Sequence, residues 1–196
     1  MTEPAETPVT YKIDSKESLF TVQASASIIH SPKFAIRDLS GLATFIPGTL
    51  QKASVRVEIP STSLEIQDEV NSEERREIDR IMRQEVLLTH AFAKILFESS
   101  GINVSQITEY LFRVKVAGAL TLRGVTRNHA FDAQVTVGPD NLRATGNFTL
   151  LQTDYGIKLV TAAGGVLKIR DELKFGFFIL ARRQPQNKAV LRKGGN

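Results

Sequence analysis

The chain contains no cysteine, which excludes disulfides, thiolate nucleophiles and thiolate metal sites. It has no apolar run long enough to cross a bilayer as a helix, so no integral membrane segment is expected. The start, MTEPAETPVTYKID, lacks a basic segment followed by an apolar one, and the expectation is a soluble protein of the cytoplasm. The three histidines, His30, His90 and His129, share no metal-ligand spacing, and there is no HExxH, GxSxG, phosphate-binding loop or GxGxxG. Gly164-Gly165 reads as a turn rather than a phosphate cradle. No metal, cofactor or catalytic residue is assigned. Solenoid and propeller repeats are missing as well.

What charge there is lies unevenly. The net charge is +4, but Arg182, Arg183, Lys188, Arg192 and Lys193 fall in a closing stretch with no acidic residue. Without them, 20 basic side chains face 21 acidic ones. The globular part is nearly neutral, and residues 183–196 read as a basic, flexible tail rather than a specific nucleic-acid site. Residues 1–9 read as a flexible start.

The remaining 10–182 form one domain, dominated by two-residue alternation. Phe112, Val114 and Val116 alternate with Arg113 and Lys115; Phe131, Ala133, Val135 and Val137 alternate with Asp132, Gln134 and Thr136. Arg123-Gly124 joins these two long strands, glycine supplying the positive φ a tight turn needs. Tyr11 and Ile13 open a first strand; Phe20, Val22 and Ala24 mark a second. His30-Ser31-Pro32 breaks the pattern, and Phe34 to Ile46 resumes it, with a bulge or bend expected at Gly41. Val55, Val57 and Ile59 form another strand. Ala93 to Ser99 forms the next, with Ser99-Ser100-Gly101 reading as a turn. Leu142, Ala144, Gly146, Phe148 and Leu150 follow a turn at 138–141, and the last strand spans about 173–180. There Phe178 and Leu180 make the second face apolar too, as though the helix or a second subunit covered it.

One segment breaks the rule. Residues 68–88 are charged, lack glycine and proline, and place Val70, Ile78, Ile81, Met82 and Leu88 at helical spacing. Asn71 or Ser72 is the candidate N-cap, and the acidic and basic residues read as a solvated, paired face. The count is eight or so strands and one inserted helix. The fold class is therefore all-β with that helix, and an eight-stranded antiparallel barrel with an apolar lumen satisfies long two-faced strands while removing their edges.

Such a barrel is either filled by side chains or holds one small ligand. Phe20, Val22, Phe34, Phe45, Val57, Phe97, Phe112, Val114, Phe131, Phe148, Phe175 and Phe177 are candidate lumen residues, with His129 the one polar group on their face. Ala24, Gly118, Ala133, Ala144 and Gly146 are small enough to leave a channel between them.

YKID, Ser18, LSGLATF around Gly41, HAFAKILFES, LTLRGVTR from Leu120 to Arg127, and TDYGI from Thr153 to Ile157 occur in that order. In this the chain resembles the YceI-like family of lipocalin-like bacterial proteins associated with polyisoprenoid binding. The resemblance implies an extended eight-stranded barrel holding a long amphiphilic isoprenoid or fatty-acyl molecule. Glu17, the HAFA step at His90 and His129 depart from the family pattern, which bears on the ligand's head group.

The expected function is non-enzymatic: binding of a polyisoprenoid, isoprenoid quinone or fatty-acyl lipid for sequestration, carriage or stress response. A homodimer through the last strand is expected with it. The alternatives are an enzyme using His129, Arg127 or Asp154 on a hydrophobic substrate, and a structural dimer with a filled core.

Overall fold

The computed structural model describes residues 7–26, 32–159, 161–162 and 167–185. His30, the Gly164-Gly165 turn, residues 1–6 and residues 186–196 lie outside that description.

The strands are β1 (Val9–Ile13), β2 (Leu19–Ala26), β3 (Lys33–Ile36), β4 (Ser40–Ile46), β5 (Thr49–Pro60), β6 (Leu64–Ile66), β7 (Lys94–Gln106), β8 (Leu111–Leu122), β9 (Val125–Val137), β10 (Asn141–Leu151), β11 (Thr161–Ala162) and β12 (Leu167–Arg183). Eight of them close an antiparallel ring in the order β1, β4, β5, β7, β8, β9, β10, β12. The ring shuts where Tyr11, Lys12 and Ile13 pair with Arg183, Arg182 and Ala181. Closure removes the sheet edges that alternating strands would otherwise expose.

β12 is long enough to serve two partners in succession. Its end pairs with β1, its middle and start with β2, and β3 and β6 extend the sheet from there. The break between β1 and β2 is a 3-10 turn at Ser15–Glu17, capped by the Asp14 side chain. Buried Ser18 bridges it. Its Oγ accepts from the Leu180 N–H (3.0 Å), giving that group its partner where the ladder changes strands, and donates to the Leu180 carbonyl (3.2 Å), which also accepts from the Asp14 N–H at 2.8 Å. On the surface Arg182 pairs with Asp14 at 2.7 Å and Glu17 at 3.0 Å. Arg182 closes the expected domain, and Arg183, expected to open the tail, is still part of β12.

The β8–β9 hairpin carries twelve cross-strand pairs from Leu111↔Thr136 to Leu122↔Val125. Arg123 and Gly124 take φ of 51° and 71°, the two positive values of a type I′ turn. Two expectations are corrected. Phe34 to Ile46 is two strands, because Leu39 turns inward to become the most buried large side chain; Gly41 pairs regularly with Val57, and the irregularity falls between Thr44 and Ile46. Ser99-Ser100-Gly101 is a bulge inside β7, not a turn: β8 continues to pair across it, and the Ser99 hydroxyl accepts the Val55 N–H.

The helix α1 (Ser72–Ile81) is shorter than the 68–88 expected and continues as a π-turn over Met82–Val86. Asn71 caps it, accepting from the N–H groups of Glu73 and Glu74, while the Glu74 carboxylate returns to the Asn71 N–H. Such a box stabilises a helix start by about 1 kcal/mol. Arg75 reaches back to the Ile66 carbonyl at 3.1 Å, fastening the helix beside the open edge of β6.

Candidate functional site

The inward faces of the strands do not meet. They enclose a cavity of about 1130 Å³ that runs through the barrel. The thirteen residues singled out from the alternation all border it: Phe20 and Val22 on β2, Phe34 on β3, Phe45 on β4, Val57 on β5, Phe97 on β7, Phe112 and Val114 on β8, His129 and Phe131 on β9, Phe148 on β10, Phe175 and Phe177 on β12. Period two places them there, since each strand shows every second residue to the lumen.

Two of the large rings press against glycines in the wall. An ideal Cβ on Gly118 would sit 2.6 Å from Cζ of Phe97, and one on Gly146 would sit 2.6 Å from Cζ of Phe177. Each glycine thus gives a ring room against the wall instead of in the channel. The rings form a continuous belt: Phe148 stacks on Phe175 at 4.7 Å and on Phe131 at 5.4 Å, Phe97 meets Phe131 at 5.3 Å, and Phe177 links Phe131 to Phe20. Pairs of this kind add about 0.5–1.5 kcal/mol each beyond area burial.

The two ends of the cavity differ. At one, Tyr11 stacks on Phe45 at 5.5 Å and donates to the Gly138 carbonyl, and with Val9, Leu142 and Ala181 it forms a small second core that acts as a floor. At the other, Leu64 and Ile66 of β6 and Val70, Ile78, Ile81 and Met82 of the helix segment border the cavity, together with Asp68, Glu69, Glu73, Glu74 and Glu77. The glutamates there are exposed, so this end is the mouth. From the sequence the helix charges read as a solvated face only. The outer part fits that reading, with Arg80 on Glu77 and Arg83 on Asp79. The apolar positions 70, 78, 81 and 82 were the signal for a lumen-facing stripe; the acidic rim beside it had none.

The polar groups on the wall are few. Ser61 donates to the Phe92 carbonyl, Ser63 to the Pro60 carbonyl and Gln152 to the Arg170 carbonyl. His129 Nε2 is the one buried side-chain nitrogen or oxygen without a hydrogen-bond partner among the described residues. The His129 ring stands edge-on to Phe148 at 5.2 Å, and burial holds its pKa below the ordinary imidazole value. Arg127 and Asp154 do not join it. The Arg127 guanidinium is exposed and donates to the Asp154 backbone carbonyl at 3.2 Å, so the three candidates of an enzymatic site do not converge. The second face of the last strand divides: Leu180 is buried beside the Ser18 bridge, while Phe178 is 42% exposed.

Comparison with known proteins agrees with this architecture. Solved structures similar in fold include BcnA from Burkholderia cenocepacia (TM-score 0.68, 14% identity, covering 86% of this chain and 98% of that one). Another is described as a polyisoprenoid binding domain from Saccharophagus degradans implicated in plant cell wall breakdown (0.67, 13%, 89% and 98%). The YCEI protein of Campylobacter jejuni is a third (0.61, 16%, 81% and 89%). No functionally curated protein matches the chain. A family model described as the YceI-like domain matches residues 11–180, which takes in the barrel from β1 almost to the end of β12, and the chain belongs to that family.

Proposed function

We propose that this protein is a non-enzymatic carrier or sequestering protein for a long amphiphilic lipid of the isoprenoid type, held lengthwise in the barrel. One observation carries the reading: a closed eight-stranded ring encloses a cavity of about 1130 Å³ whose wall is predominantly apolar between the floor and an acidic mouth. Its size is that of a ligand site rather than of packing defects. At about 0.8 kcal/mol per buried methylene, fifteen such groups contribute roughly 12 kcal/mol. Association costs at least about 4 kcal/mol, leaving enough for a micromolar complex without any ion pair. The polyisoprenoid binding described for the Saccharophagus relative supports the same ligand class.

The test is uptake. Purified protein incubated with dispersed geranylgeraniol and passed through a sizing column should carry about one lipid per chain. Phe112→Asp, which places a carboxylate on the lumen wall, should reduce uptake more than tenfold while leaving a cooperative unfolding transition. A folded Phe112→Asp variant that loads as well as the parent would contradict the reading.

A further inference from the structure

Deepening the lipid-binding reading, on which it rests, we propose that the barrel selects an uncharged lipid whose single oxygen-bearing head, a hydroxyl or carbonyl, hydrogen-bonds to His129 Nε2, and that it discriminates against phosphate and carboxylate heads.

Two independent observations support this. The first is the sign of the charge along the wall. Every charged residue bordering the cavity is acidic, and no lysine or arginine borders it among the described residues. An anionic head drawn inside would lose its hydration with no cation to meet it, and desolvated unpaired charges are disfavoured. Left at the mouth, it would stand among Glu69, Glu73 and Glu74, beside a Glu77 carboxylate already paired with Arg80. Neither position suits an anion.

The second is the unpaired nitrogen. Ser61, Ser63 and Gln152 spend their donors on backbone carbonyls, whereas His129 Nε2 is buried with no partner in the protein. A buried polar atom left unsatisfied is unfavourable, and a ligand that supplies the missing partner recovers that loss on binding. The flanking Phe131 and Phe148 rings, centred 6.4 Å and 5.2 Å from the imidazole, give such a head an apolar seat. Burial also favours the neutral imidazole, so His129 offers no compensating cation to an anionic head. Nε2 itself is shielded while the imidazole as a whole is only partly buried, so the contact with the head requires the ring to turn about its side-chain torsions. β9 stays paired with β8 as far as the turn, but its ladder with β10 runs from Leu142↔Val137 only to Asn147↔Asp132, short of His129 and Phe131.

The experiment compares three probes with one chain: farnesol, farnesyl monophosphate and the hydrocarbon farnesene, titrated against a fluorescent apolar reporter. The parent protein should bind farnesol about fivefold more tightly than farnesene, the gain of roughly one recovered hydrogen bond, and farnesyl monophosphate at least about tenfold more weakly than farnesol. His129→Leu should abolish the farnesol-over-farnesene preference without weakening farnesene, which also shows that the variant is folded. His129→Gln, which keeps a donor and an acceptor, should restore part of the preference. Farnesyl monophosphate binding as tightly as farnesol would overturn the proposal. So would a His129→Leu variant that still prefers the alcohol. In both cases the lipid-binding reading stands, because farnesene still binds; if none of the three probes binds, that reading fails and this proposal falls with it.

Discussion

Replacing Gly118 by alanine adds a single methyl group, and the structure says where it goes. The new Cβ would lie 2.6 Å from Cζ of Phe97, about 1 Å inside ordinary carbon contact, and closer still to the Glu98 carbonyl oxygen. The carbonyl belongs to β7, paired to β8 at this point through Ser99↔Gly118 and Glu98↔Ala119, and cannot swing away. The ring can, but only toward the lumen. Overpacking of this kind costs about 1–3 kcal/mol, and at roughly 2–4 °C per kcal/mol for a domain of this size the melting temperature should fall by about 2–12 °C. The same substitution at Gly146, under the Phe177 ring, should behave alike. Gly101, with nothing within 4 Å of its ideal Cβ and no positive φ, is the control and should change stability by less than about 1 kcal/mol either way. Thermal unfolding followed by circular dichroism reads all three. Combining Gly118→Ala with Phe97→Leu removes the ring and should return part of the loss as a coupling energy. If Gly118→Ala melts with the parent, or the double variant shows no coupling, the claim that these glycines hold the rings out of the channel is wrong.

Other perturbations probe other parts of the account. Ser18→Ala leaves the buried Leu180 N–H without its acceptor, while the Leu180 carbonyl keeps the Asp14 N–H, and should cost about 1–3 kcal/mol in a urea titration. A variant as stable as the parent would mean that water replaces the hydroxyl there. His129 is less basic folded than unfolded, where its pKa is about 6.5. Its stabilising contribution is therefore complete above that pH and is lost as pH falls through it toward the lower folded value. Stability between pH 7.5 and 5 should drop more steeply in the parent than in His129→Leu; equal slopes would show that the imidazole is not desolvated. Asn71→Ala removes the helix cap and should loosen the mouth, costing about 1 kcal/mol and raising hydrogen exchange over 72–86 ahead of the barrel.

Much of this molecule is legible in its alternation, and the exceptions have physical reasons. Phe112, Val114 and Val116 against Arg113 and Lys115 place β8 and its lumen face without any tertiary knowledge, because the period of a strand is local. The bulge at Ser99-Ser100-Gly101 is not local. Those residues make a good turn, and only the long β8 opposite them keeps the chain extended. Leu39 is similar: an apolar residue among Arg37, Asp38 and Ser40 looks incidental until the barrel buries it. For the cavity, alternation gave the thirteen wall residues. It could not decide between a packed and an open lumen, since that depends on ring orientation, which the Gly118–Phe97 and Gly146–Phe177 contacts set across strands. The acidic rim was hidden for the same reason, because helix charges show which face they border only once the helix is docked beside β6.

The central claim is that the barrel encloses a lipid, and native mass spectrometry of gently purified protein addresses it directly, followed by organic extraction and identification of what is released. The account predicts one uncharged isoprenoid-like molecule per chain, lost on denaturation. A chain that carries no molecule and takes up none from dispersed isoprenoid alcohols or quinones would contradict it.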